Sequence, residues 1–165
     1  MSQEVGKQES LILSRLSEYE SKLDTVIRQL YPSEIDIDSG VDRLLKLSYD
    51  ELVKMHPDEC SIGGYKLKQY AVYLQQKENR FKSIKFWLKS NLDTTIGKYA
   101  SNYGDTYTKY EEKKASVIAD NSFAKTLNTL FLEYSGYETE MTMICNRINE
   151  LSKTLSEIRN NKVQK

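Results

Sequence analysis

The sequence predicts an all-α, elongated protein that assembles through coiled-coil heptads at both ends. Its 165 residues include only 7 Gly and 2 Pro, and 29% of them are charged. This composition favours long helices over a loop-rich or β-rich domain. Apolar residues also recur at heptad spacing near both termini and at helical spacing in the middle of the chain. These three observations predict a homo-oligomer of long helices.

The first helix is predicted from about Gln8 to Leu30. A 4-3-4-3-4 heptad run lies within it, formed by Ile12, Leu16, Tyr19, Leu23, Val26 and Leu30. Tyr31 precedes Pro32, and proline disfavours helix at the residue before it. Residues 31–42 are acidic and contain Pro and Gly, which indicates a linker or a partner-binding strip.

The next elements are marked by a capping box. The Ser48 side chain can accept from the backbone N–H of Glu51, and the Glu51 carboxylate can reach back to the Ser48 N–H. Leu47 and Leu52 stand at the two positions of a hydrophobic staple. A short helix over 49–55 follows, and Pro57 suits the first turn of the helix after it.

A long amphipathic helix is predicted from Pro57 to about Asn102. Its apolar stripe consists of Tyr70, Leu74, Phe81, Ile84, Leu88, Leu92 and Ile96. Gly104-Asp105-Thr106 indicates a turn, after which a second long helix starts near Thr108. We expect that helix to be interrupted at residues 120–122, because the heptad read backwards would place Asp120 in its apolar seam.

The last third of the chain carries the longest heptad. Ten apolar residues alternate at spacings of three and four without a slip: Leu127, Leu130, Tyr134, Tyr137, Met141, Ile144, Ile148, Leu151, Leu155 and Ile158. A strict 3.5-residue repeat keeps one seam of a helix facing a partner helix. These ten residues are therefore the predicted oligomerisation surface.

Charged residues are distributed unevenly along the chain. Residues 1–65 hold 7 basic and 13 acidic side chains, residues 66–114 hold 11 and 5, and residues 115–165 hold 6 of each. Together with the helix boundaries, this pattern indicates three consecutive parts. They are an acidic N-terminal helix with its linker (1–47), a short helix with a long basic helix (48–104), and a second long helix with the coiled coil (105–165).

The basic part has the composition of a single-stranded nucleic-acid interface. Lys82, Lys85 and Lys89 fall on one helical face, and Lys98 extends the positive surface. Aromatic residues are interleaved, and Tyr99, Tyr103 and Tyr107 flank the predicted turn and are the better candidates for stacking on bases. Cations that follow phosphates and aromatic rings that stack on bases bind single strands. The alternative is a solvated charged face over an aromatic core.

Catalytic and metal-binding patterns are missing from the sequence. His56 and Cys60 are four residues apart, but no third ligand stands near them. There is no nucleophile–base set, phosphate-cradling glycine loop or calcium loop. We therefore expect a non-enzyme without cofactor or metal. Cys60 and Cys145 indicate free thiols, and the absence of a long apolar run or leader indicates a cytoplasmic protein without membrane contact.

Residues 70–104 (YAVYLQQKENRFKSIKFWLKSNLDTTIGKYASNYG) resemble the recombination mediator family UvsY of T-even-like phages. The similarity extends over about residues 65–165 and includes Tyr110-Glu111 and Val117-Ile118-Ala119-Asp120. It implies a helical ring-forming oligomer that binds single-stranded DNA in DNA recombination and repair. It also implies help in loading a RecA-like recombinase onto strands covered by single-strand-binding protein. Lys98 matches a basic residue of the family's DNA-binding motif, whereas Ile96 replaces its lysine.

Two functions follow from these patterns. The first is a recombination mediator that contacts single-stranded DNA through Lys82, Lys85, Lys89, Lys98, Tyr99 and Tyr103. The second is a coiled-coil structural or adaptor protein, such as a phage assembly or scaffold component, that binds no nucleic acid. In the second case the basic residues of 66–114 (the basic block) would dock on the acidic residues of 1–65 (the acidic N-terminal block) of a neighbouring subunit.

Overall fold

A computed structural model describes residues 2–30 and 39–164, and over these residues the chain is helical with no strand. The predicted all-α class is confirmed. The α-helices are α1 (Ser2–Leu30), α2 (Ser39–Lys46), α3 (Tyr49–Lys54), α4 (Pro57–Tyr99), α5 (Tyr110–Asp120) and α6 (Ser122–Val163). A 3₁₀ turn at Ala100–Asn102 extends the end of α4.

Local signals in the sequence fix several helix ends. The Glu51 N–H donates to Ser48 Oγ at 3.4 Å, and the Ser48 N–H donates to the Glu51 carboxylate at 2.7 Å, so the predicted capping box is present. Pro57 begins α4 as expected. The predicted interruption near residue 120 is also confirmed, because Asn121 is extended and its Oδ1 accepts from the Ala124 N–H at 3.0 Å. Asn121 thus caps α6.

The predicted linker over 31–42 needs a correction at its end. Residues 31–38, like the Leu30 side chain, lie outside the described residues. Residues 39–46, however, form α2, and Val41 and Leu44 on one of its faces are buried. Two apolar residues three positions apart suffice to anchor a short amphipathic helix when other helices cover them.

The described helices group into two compact units. Unit 1 comprises Met1–Pro32 and Arg80–Glu138, and unit 2 comprises Ser33–Asn79 and Thr139–Lys165. Because α4 and α6 each contribute to both units, neither unit is a continuous stretch of sequence.

The core of unit 1 is built from α1, the second half of α4, α5 and the beginning of α6. Its buried residues are Ile12, Leu16, Ile84, Leu88, Leu92, Ile96, Val117, Ala124 and Leu127. The predicted stripe of α4 is thus the face that packs inward. Tyr19 adds a ring stacked on Trp87, with centroids 5.5 Å apart, and its hydroxyl donates to the Ser83 carbonyl at 3.3 Å.

The core of unit 2 joins α2, α3, the first half of α4 and the end of α6. Its buried residues are Val41, Leu44, Leu52, Cys60, Leu67, Ala71, Leu74, Cys145, Ile148, Leu155 and Ile158. In this unit α4 and α6 run antiparallel and approach closely, since the Ser152 hydroxyl donates to the Gly64 carbonyl at 3.1 Å. Leu47 and Leu52 of the predicted staple both belong to this cluster.

The C-terminal heptad packs largely within its own chain. Leu127, Ile148, Leu155 and Ile158 are buried, and Leu130, Tyr134, Met141 and Leu151 are half-buried. Tyr137 and Ile144 keep exposed fractions of 41% and 43%, whereas Cys145 and Ser152, one position further on, are buried. A straight α-helix turns every 3.6 residues, so its covered face drifts away from a strict 3.5-residue repeat. The ten predicted oligomerisation residues therefore divide into intrachain core residues and a few that remain accessible.

Candidate nucleic-acid interface

Two of the positive charges in the basic block are balanced inside unit 1. Arg80 Nε lies 2.7 Å from Asp24 Oδ1 and Arg80 Nη2 lies 3.7 Å from a Glu20 carboxylate oxygen, so α1 holds this guanidinium. The hydrogen bond and charge of Asp24, added to the charge of Glu20, raise the pKa of Arg80 despite its partial burial. The acidic N-terminal block thus pairs with the basic block within one chain at this position.

Lys85 is the second balanced charge. Its ammonium forms an ion pair with the Glu138 carboxylate of α6, and both side chains are largely covered. Lys85 was predicted to contact phosphate together with Lys82 and Lys89. The structure places it instead in a contact between α4 and α6, where a phosphate would have to compete with Glu138.

Lys82 and Lys89 lie on the exposed side of α4, and Phe86 lies between them with 73% of its surface exposed. Phe86 points away from Ile84 and Leu88 of the apolar stripe, because residues two apart are rotated by about 200° around the helix axis. We call Lys82, Phe86 and Lys89 the α4 strip. Asp93, also exposed, bounds it one turn beyond Lys89.

The α4 strip has the two features that single-stranded nucleic acid requires. An exposed ring offers a flat apolar surface to a base, and lysines on either side offer charge to the flanking phosphates. A ring that packs inside unit 1 cannot offer its face to a base. Trp87, the neighbour of Phe86, is half-buried and already stacked on Tyr19.

The remaining predicted contacts lie near the end of α4. Lys98 is exposed, and its ammonium stands over the Tyr99 ring, 5.4 Å from the centroid. Tyr99 itself is half-buried and packs against the unit 1 core. Lys98 is therefore accessible to a phosphate, while the Tyr99 ring is largely occupied by its own chain.

Tyr103 is also partly covered by its own chain. Its ring packs against the unit 1 core. Partial desolvation, followed by the charge and hydrogen bond of Asp120, raises the pKa of the Tyr103 hydroxyl. Since one side of the ring is covered, replacing Tyr103 would test packing together with binding.

The predicted turn presents a different tyrosine to solvent. Asp105 Oδ1 accepts from the backbone N–H of Tyr107 at 2.9 Å and of Thr108 at 3.0 Å, and these bonds, with the Thr108 hydroxyl, lower the pKa of Asp105. Gly104 enters the turn with φ of +72°, which favours glycine. The turn leaves Tyr107 93% exposed.

Phe86 and Tyr107 are thus exposed aromatic residues outside the six predicted contacts, although Tyr107 was predicted as a stacking candidate beside the turn. A signal for Phe86 exists, since it is off the apolar stripe and lies between two lysines that share its face. Tyr107 is signalled by its place between an aspartate and a threonine that can both close the turn through side-chain hydrogen bonds. Both signals depend on knowing which face of α4 and which side of the turn the core covers.

Other chemistry is limited among the described residues. His56 is exposed whereas Cys60 is buried, so the two do not form a joint site. Desolvation raises the pKa of the Cys60 thiol. Over residues 2–30 and 39–164, no group of three or more His, Cys, Asp or Glu side chains lies close enough to hold a metal ion. None of the helices in this part of the chain is long and apolar enough to cross a membrane.

Comparison of the chain with protein-family models, with curated proteins and with solved structures gives no match.

Proposed function

We propose that this protein binds single-stranded nucleic acid through the α4 strip and serves as a recombination mediator. The observation that carries the proposal is the exposed Phe86 ring between Lys82 and Lys89. At 73% exposure most of this apolar ring is in contact with solvent, and a base stacked on it would remove that surface from water. Lys98 and Tyr107 extend the same chemistry to the turn after α4.

The mediator role follows from the resemblance of residues 65–165 to the UvsY family. In this role the protein binds single-stranded DNA as a homo-oligomer and helps a RecA-like recombinase replace a single-strand-binding protein. The accessible Tyr137 and Ile144 provide apolar surface for contacts between copies.

The test is a fluorescence titration of a labelled oligothymidine at several salt concentrations. Phe86→Ala should weaken binding by about 1–3 kcal/mol, roughly 5- to 150-fold in Kd, with the salt slope nearly unchanged. Lys89→Ala should instead reduce the slope of log K against log[salt] by about 0.7. Tyr49→Ala, which removes a similarly exposed ring from unit 2, is the control and should leave both quantities unchanged.

The adaptor function is the second candidate, and the ion pairs of Arg80 and Lys85 favour it. They show that this chain uses part of its basic block to bind its own carboxylates. Under this alternative the oligothymidine titration gives no binding at low salt, and Phe86→Ala alters a protein contact instead. Absence of binding at an ionic strength of about 0.05 M, where phosphate contacts are strongest, would refute the nucleic-acid proposal.

A further inference from the structure

A small pocket with an unbalanced positive charge lies in unit 2, away from the α4 strip. It has a volume of about 150 Å³ and lies between the first turns of α4 and the last turns of α6. Six of its lining residues matter here: Ser61, Gly64, Tyr65, Lys68, Ser156 and Arg159. None of the described residues that line it is acidic.

The two cations of the pocket face it from different helices. Lys68 on α4 is exposed and makes no ion pair with any described residue. Arg159 on α6 donates from Nε at 3.2 Å and from Nη2 at 2.8 Å to the Asn160 Oδ1. This amide is neutral, so it orients the guanidinium without cancelling its charge.

Two further charged residues, Lys162 and Glu59, lie near Cys60 of the pocket. Lys162 and Glu59 act on the thiol of Cys60, which also lines the pocket, with opposite signs. Lys162 also donates to the Met55 carbonyl at 2.6 Å. Among the residues that line the pocket, Lys68 and Arg159 are the charged ones, so the lining itself is positive.

The rest of the pocket is lined by three hydroxyl-bearing side chains and a glycine. Tyr65 accepts from Gln69 Nε2 at 3.1 Å, which leaves its own O–H free to donate into the pocket. Ser61 and Ser156 donate to the carbonyls of Pro57 and Ser152, so their protons are used within their own helices. Gly64 also lines the pocket, and a Cβ there would have its nearest neighbours, the carbonyl and hydroxyl oxygens of Ser152, at 3.8 Å.

We infer that this pocket binds a phosphate group, held by the charges of Lys68 and Arg159 and by the Tyr65 hydroxyl. Guanidinium groups bind phosphate oxygens through paired hydrogen bonds, and an ammonium adds a point charge. Pockets for drug-sized ligands measure about 300–1,000 Å³, so a pocket of 150 Å³ suits a single oxyanion whose substituent extends into solvent. The site is in unit 2 and does not depend on the proposed function of the α4 strip.

The experiment measures the thermal midpoint of the full chain against inorganic phosphate, with sodium chloride lowered to keep ionic strength constant. The midpoint should rise and saturate, because a ligand that binds only the folded state stabilises it. Lys68→Gln and Arg159→Gln should each weaken phosphate binding at least fivefold. Lys153→Gln, an exposed lysine of α6 that does not line the pocket, is the matched control and should have no effect.

A second variant separates binding from folding. Gly64→Ala meets only ordinary van der Waals contacts, so it should keep or raise the midpoint without phosphate while weakening phosphate binding. Thymidine 5′-monophosphate, compared with thymidine, then identifies the source of the group. Tighter binding of the nucleotide than of inorganic phosphate assigns the pocket to a phosphorylated strand end, and equal binding assigns it to the free anion.

Two outcomes would overturn the inference. One is a phosphate effect that does not saturate or that survives in both Lys68→Gln and Arg159→Gln, since it would then be a general ion effect. The other is binding of thymidine as tight as that of its 5′-monophosphate. Absence of oligothymidine binding to the unmodified protein at low salt, with phosphate binding intact, would refute the α4 strip proposal and leave this site standing, so the two proposals fail separately.

Discussion

Replacing two residues of the same heptad, Leu127 and Ile144, by Ala separates packing within the chain from packing between chains. Leu127 is fully buried in the unit 1 core, whereas Ile144 is 43% exposed. The strict repeat predicts equal roles for the two, because both stand in one seam. The structure predicts unequal roles, since the chain itself covers only one of them.

The expected magnitudes follow from burial. Leu127→Ala removes a fully covered side chain and leaves a cavity, so it should lower the free energy of unfolding by about 3 kcal/mol. Ile144→Ala loses roughly half of a transfer free energy of about 1.5–3 kcal/mol and leaves no closed cavity, while alanine gains a few tenths in helix propensity. The net loss at Ile144 should therefore be no more than about 1 kcal/mol.

Urea unfolding followed by circular dichroism measures both losses, and light scattering at several protein concentrations gives the mass. If Ile144 lies in a contact between copies, Ile144→Ala should lower the mass at a given concentration while the monomer stays folded. Losses of equal size that both depend on protein concentration would refute the intrachain assignment of Leu127, because both residues would then belong to an interface between chains.

Two further predictions concern pH and glycine. Burial and the hydrogen bond to Glu20 raise the pKa of Tyr134 from 10 to about 12, so its contribution to stability is complete below pH 10 and is lost between pH 10 and 12. Urea unfolding over this range should show a shallower decline in Tyr134→Phe than in the unmodified protein, and an equal decline would contradict the assignment. Gly97→Ala and Gly136→Ala meet no neighbouring atom and should each raise the unfolding free energy by about 0.5–1 kcal/mol. Gly104→Ala, at φ +72° with a Cβ within 2.3 Å of the Thr108 hydroxyl oxygen, should lower it by more than about 1 kcal/mol, and a gain there would refute the assigned turn.

Local chemistry made much of the fold predictable. The capping box at Ser48, the start of α4 at Pro57 and the break at Asn121 are decided by hydrogen bonds between residues within four positions of one another. Such local hydrogen bonds do not depend on the tertiary structure, so the sequence is enough to recognise them. The apolar stripe of α4 was predictable for a similar reason, since its spacing alone shows which residues share a face.

The candidate interface was only half predictable. Composition and spacing located the basic, aromatic part of the chain, but they could not separate Lys89 from Lys85 or Phe86 from Tyr103. That separation depends on Glu138 and the unit 1 core, which residues distant in sequence supply.

What the sequence determined by itself is the all-α class, most helix ends and the apolar stripe of α4, because these depend on bonds and periodicities within a few turns. Tertiary structure decided how α4 and α6 divide between two units, which heptad residues stay accessible and that Arg80 and Lys85 pair with carboxylates. These outcomes depend on partners more than 50 residues away, as in the pairs of Asp24 with Arg80 and of Lys85 with Glu138. The sequence gives the type of a charged or apolar residue, but it does not show whether a distant partner covers that residue.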